Sequence, residues 1–168
     1  MKTRKLTLTA LMTAVALGIF VAEAQIPFMP SIPGIKLGLA NVVTVFAMYL
    51  LGPGATACIV LVRVTLGCFA TGQLMAFLYS MAGGLLALCI STVLSHFFPV
   101  NKMWVVSVFA AIAHNIGQLA IAVAITETPA IAYYLPALVL SGTITGAFTG
   151  FCAQFTYQRL SNNFQKYI

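Results

Sequence analysis

The charges in this chain are too few for a protein surrounded by water. Eight basic and two acidic residues are spread over 168, so 6% of the chain is charged and 61% is hydrophobic, with a mean hydropathy of +1.04. A soluble domain carries roughly 25% charged residues to coat its surface. The solvent of this chain is therefore mostly lipid. An apolar segment of about 20 residues crosses the hydrocarbon core, and short breaks divide the sequence into six such segments. The pattern predicts an all-α integral membrane protein, a single transmembrane domain over 1–168 with helices near 6–24, 37–51, 55–70, 74–98, 103–126 and 130–155. No room is left for a soluble catalytic lobe.

The first apolar run follows Lys2, Arg4 and Lys5 and ends at Ala22-Glu23-Ala24. A basic start, an apolar middle and an A-x-A site are the marks of a secretory signal, but the run is longer than the roughly 7–15 residues of a signal core. It also places Ala10, Ala14, Gly18 and Ala22 at a strict spacing of four. That spacing stacks small residues on one helix face, the usual surface for close helix packing in membranes. The run is read as a retained helix. Pro27, Pro30 and Pro33 then make Gln25 to Lys36 a non-helical loop, since each proline fixes φ and removes a donor. Gly52-Pro53-Gly54 breaks the chain after the second helix, and Gly142, Gly146 and Gly150 form a doubled G-x-x-x-G face on the sixth, expected to pack within the bundle. With the N-terminus inside, Lys2, Arg4, Lys5, Lys102, Arg159 and Lys166 fall inside and Lys36 outside, with Glu23 and Glu127 in outer loops. That asymmetry predicts both termini on the cytoplasmic side.

Polar side chains deep in apolar sequence are the candidates for function. Arg63 lies near the middle of the third helix. A charged residue there costs roughly 2.5–3.5 kcal/mol on insertion scales, and no acid is obviously within its reach. Two options stand: the arginine snorkels or bonds helix carbonyls, or a ligand supplies the negative charge. His114 and Gln118 are four apart and share a face of the fifth helix, with Asn115 beside them. This patch either lines a cavity or bonds between helices. Lys36 and Asn41 sit at the outer end of the second helix, and Gly34 and Gly38 there permit close approach of backbone or ligand. The expected substrate-binding set is Lys36, Asn41, Arg63, His114, Asn115 and Gln118, holding an anionic, partly apolar small molecule.

Catalysis fits poorly. The sequence has no Gly-rich phosphate loop, nucleophile elbow or H-E-x-x-H. Two isolated glutamates cannot form the acidic cluster that holds Mg²⁺ for prenyl or phosphoryl transfer. No catalytic residue, cofactor or metal is expected. Cys58, Cys68, Cys89 and Cys152 form no C-x-x-C pair and read as small buried hydrophobes without disulfides. The net charge of +6 is scattered or terminal, with no stripe suited to nucleic acid.

Several of these stretches resemble known families. Arg4-Lys5-Leu6-Thr7-Leu8-Thr9-Ala10-Leu11, leading into small residues every fourth position, resembles the first helix of substrate-binding (S) components of energy-coupling factor (ECF) transporters. Pro33-Gly34-Ile35-Lys36-Leu37-Gly38-Leu39-Ala40-Asn41, Leu51-Gly52-Pro53, Arg63 with Gly67, and Ala113-His114-Asn115-Ile116-Gly117-Gln118 are similar to the Gx transporter family, also labelled heptaprenyl diphosphate synthase component I. The resemblance implies a six-helix S-component-like fold in the cell membrane, with a ligand pocket near the outer side. It also implies docking of Ala10, Ala14 and Gly18 on a coupling transmembrane subunit, with ATPase subunits supplying energy. The synthase label implies the alternative, a non-catalytic membrane subunit associated with polyprenyl diphosphate synthesis.

Overall fold

The computed structural model describes residues 2–25, 38–72 and 74–164. The described chain is helical: α1 (Lys2–Glu23), α2 (Asn41–Leu51), α3 (Pro53–Thr71), α4 (Leu74–Phe97), α5 (Met103–Thr126) and α6 (Leu135–Phe164), with 3₁₀ turns at Val100–Lys102 and Pro129–Tyr134. Five of the helices are long and apolar enough to cross a membrane, and α2 is a shorter apolar helix. The basic leader is itself helical, because α1 begins at Lys2. The last helix starts later than its apolar run, since residues 129–134 form a 3₁₀ turn, and it continues past 155 to Phe164.

The short α2 is the centre of the bundle. Each of the other five helices packs against it, and nine of its eleven residues are buried. A helix apolar all round belongs inside a protein rather than at a surface. At about 1.5 Å per residue it covers roughly 16 Å, about half of the hydrocarbon core. It begins at Asn41 and not at the expected 37, because Gly38 has φ +78° and lies outside helical geometry. At its other end Gly52 (φ 84°, ψ 174°) both ends α2 and starts α3, with Pro53 in the first helical position. That backbone conformation is essentially restricted to glycine.

Bare glycine faces bring the other helices into contact. A Cβ on Gly146 would stand 2.7 Å from the Val108 Cα, and one on Gly150 would stand 2.6 Å from the Trp104 Cα. The α6 ridge therefore packs backbone to backbone on α5. Gly117 meets the Ala82 carbonyl and the Gly83 Cα in the same way where α5 crosses α4.

The distribution of polarity is inverted relative to a soluble protein. Leu140, Ile144, Phe148, Phe151 and Phe155 line the exposed side of α6, while Arg63, Glu23, Asn41, His114, Asn115 and Gln118 are all buried. Exposed Tyr133 and Tyr134 mark one end of α5 and α6 and Trp104 the other, as expected of an aromatic belt at two membrane interfaces. Three of the cysteines depart from expectation: Cys58, Cys89 and Cys152 lie on the exposed outside of the bundle, and only Cys68 is buried.

Candidate functional site

Antiparallel geometry brings the first two polar groups together. Asn41 lies ten residues before Leu51 and Arg63 ten after Pro53, so the two stand level on either side of the Gly52 turn. Ten residues of helix rise about 15 Å, so the pair lies about half a hydrocarbon thickness from that turn. Arg63 Nη2 donates to Asn41 Oδ1 at 3.0 Å. The guanidinium is only 2% exposed, so it turns inward and does not snorkel.

An acid does reach Arg63, contrary to the sequence reading. Glu23 is not in an outer loop; it is the last residue of α1 and is 3% exposed. Its carboxylate and the Arg63 guanidinium interact electrostatically. Gly38 N donates to Glu23 Oε1, and the backbone N–H groups of Leu39 and Ala40 also face the carboxylate. The first N–H groups of any helix lack intrahelical partners and carry the positive end of its dipole. Glu23 therefore holds the turn that leads into α2, near the positive end of its dipole, while opposing Arg63. The face that carries it was present in the sequence: Ala16, Phe20 and Glu23 follow helical spacing, and all three are buried. Phe20 fills the space beside Gly67 of α3.

The fifth helix completes the cluster. Gln118 Nε2 donates to His114 Nε2 at 2.9 Å, the i, i+4 pairing that their spacing implied. A Cβ on Gly83 would lie 2.9 Å from His114 Nδ1 and 3.0 Å from Gln118 Cγ, so α4 is bare where these side chains pass. A Cβ on Gly38 would lie 3.0 Å from Asn41 Nδ2 and 3.1 Å from His114 Cδ2. Asn41 and His114 thus meet over the glycine that starts the turn into α2.

Phe20, Glu23, Gly38, Ala40, Arg63, Val64, Ser80 and His114 line a hollow of about 10 Å³. That is room for about one water molecule. Among the described residues, Arg63 Nε, Asn41 Nδ2 and Ser80 Oγ are buried without a hydrogen-bond partner. Such groups are rare and call for an occupant or a role.

Of the six expected substrate-binding residues, the structure brings Asn41, Arg63 and His114 together, with Gln118 behind His114. Asn115 points elsewhere: its Nδ2 donates to the Leu138 carbonyl of α6 at 2.8 Å. Lys36 lies outside the described residues. Glu23 and Ser80 join the cluster without having been expected there. Ala10, Ala14 and Gly18 are all exposed on α1, away from its buried face.

The inverted polarity and the helical bundle define the class: an all-α, multi-pass membrane protein with a buried polar cluster. A family model described as heptaprenyl diphosphate synthase component I matches residues 12–156. The chain belongs to that family. Neither the curated proteins nor the solved structures contain a match.

Proposed function

We propose that this chain is the substrate-binding membrane component of a small-molecule uptake transporter, similar to an S component of the ECF type. The observation that carries the reading is the polar cluster of Glu23, Asn41, Arg63, Ser80 and His114, buried at the centre of an otherwise apolar bundle. Buried ionisable groups in membrane helices are costly and mark substrate or ion sites by default. The cluster also lies at the N-terminus of a half-length helix, an arrangement that transporters use to bind polar groups at mid-membrane.

In this reading the chain forms one transmembrane domain in the cell membrane, with both termini cytoplasmic. Lys36, Asn41, Arg63, His114 and Gln118 serve the substrate, and Asn115 holds α5 against α6. The exposed Ala10, Ala14 and Gly18 ridge docks a coupling transmembrane subunit, and ATPase subunits act through that partner. Phe20, Ala40 and Val64 on the wall of the hollow suit a partly apolar ligand. The ground for expecting an anionic ligand was an arginine without an acid, and Glu23 removes it.

The test is chemical identification of what the protein holds. Mass spectrometry of the purified protein should release one small molecule, enriched in wild type and reduced at least tenfold in Arg63→Lys, which keeps the charge but not the fork. Uptake of that molecule by cells should depend on this chain. A protein that carries nothing and supports no uptake would reject the transport role.

The family description favours a second reading, a non-catalytic membrane subunit associated with polyprenyl diphosphate synthesis. Its mark would be synthase activity from a soluble catalytic subunit that appears only when this chain is added.

A further inference from the structure

We propose that the hollow between α1, α3, α4 and α5, beside the turn into α2, is a seat for a single uncharged oxygen, the carbonyl or hydroxyl head of the ligand. The inference rests on reading this cluster as a binding site and names the chemistry that the site accepts.

Charge comes first. Arg63 and Glu23 line the same hollow and carry opposite charges. The carboxylate already holds the position that a ligand anion would take, at the N-terminus of α2 and opposite the guanidinium. A second anion would leave a net negative charge in the centre of a membrane bundle, where charge is least tolerated. A cation would meet Arg63. A neutral head group has neither penalty.

Hydrogen-bonding capacity comes second. Arg63 Nε–H and the Asn41 Nδ2 amide are donors with no partner among the described residues, and the Ser80 hydroxyl is likewise unused. Each residue is at most 2% exposed. Arg63 and Ser80 line the hollow from α3 and α4, and Asn41 of α2 adjoins it beside Gly38, so no single helix accounts for them. A surplus of donors selects an acceptor, and a carbonyl or hydroxyl oxygen has two lone pairs to offer.

Size comes third. The hollow of about 10 Å³ matches one oxygen atom with its hydrogen bonds. A carboxylate or phosphate would set its own charge against the Glu23 carboxylate in the same hollow. Part of the space exists because residue 38 is glycine, since a Cβ there would press on Asn41 Nδ2 and His114.

Formamide and formate test the proposal, being the same size and shape and differing in charge. The readout is the thermal unfolding midpoint of purified full-length protein in detergent. Formamide should raise the midpoint saturably, by about 2–4 °C at concentrations well above its Kd, and formate at equal ionic strength should not. Ser80→Ala should unfold at nearly the wild-type temperature and show a weaker formamide shift. In Glu23→Gln the uncompensated arginine should make formate stabilising as well. Formate stabilising the wild type while formamide does nothing would make this an anion seat and overturn the proposal. No shift with either probe would leave the hollow a water site and overturn it equally. A formamide shift in a protein that yields no bound molecule and supports no uptake would keep the seat and reject the transport role.

Discussion

What happens to Glu23 when Arg63 is removed decides the energetics of the site. An arginine without an acid could be replaced by methionine at no cost to the fold. With Glu23 facing it, Arg63→Met leaves a buried carboxylate without its counter-charge. Breaking a buried pair costs about 3–5 kcal/mol, whereas replacing both partners is often neutral. Glu23→Gln can still accept from the Gly38 N–H, so it separates the charge from the hydrogen bond. Chemical unfolding in detergent should show both single variants destabilised and the double variant Glu23→Gln/Arg63→Met recovering most of the loss. Additive losses in the double variant would mean that the two charges do not sense each other. Asn115 belongs to a different contact: Asn115→Ala removes its bond to the Leu138 carbonyl and should lower stability by about 1 kcal/mol while leaving ligand affinity within about twofold.

At the scale of elements, the crossing of α4 and α5 depends on a missing side chain. A Cβ on Gly83 would come within 2.7 Å of the His114 carbonyl oxygen, and backbone cannot move aside as a flexible side chain can. Gly83→Ala should therefore destabilise by about 1–3 kcal/mol, the usual cost of overpacking, and should displace His114 and weaken binding. Gly54→Ala, in the first turn of α3 with nothing within 4 Å of its new Cβ, should be neutral or slightly stabilising through helix propensity. Thermal unfolding of the two variants side by side checks the contrast. The start of α2 was not legible in the sequence, because Gly38 takes a positive φ where its N–H meets the Glu23 carboxylate, a contact between distant parts of the chain.

For the whole molecule, the outward faces carry the predictions. The Ala10, Ala14, Gly18 ridge is exposed among the described residues, and Gly18 has open space where its Cβ would be. Ala14→Trp should leave folding and ligand retention intact and abolish both uptake and copurification of the partner, because a ring there holds a docking helix away. Persistence of both would show that the ridge faces only lipid. In the proposed topology, read from the basic asymmetry, the end of α6 lies inside the cell. In a cysteine-free background, Arg159→Cys should react with an impermeant thiol reagent only after the membrane is opened, and labelling of intact cells would reverse the topology.

The sequence by itself determined the solvent, the helix count and the polar residues that need explaining, because these follow from apolar length and from the cost of burying charge. It also contained the equal spacing of Asn41 and Arg63 from the Gly52 turn, and the i, i+4 spacing that pairs His114 with Gln118. Local periodicity is enough for such contacts. It could not show which residues from distant helices meet. Glu23 ends an apolar run next to a proline-rich segment, where a carboxylate ordinarily faces water. Only the packing of Ala16 and Phe20 against the bundle turns it inward to hold the turn before α2 and oppose Arg63. The same long-range packing sends Asn115 to α6 and His114 to Gly38, though the two are neighbours in the chain. Adjacent helix positions differ by about 100°, and which of those directions faces a partner is fixed by the other helices.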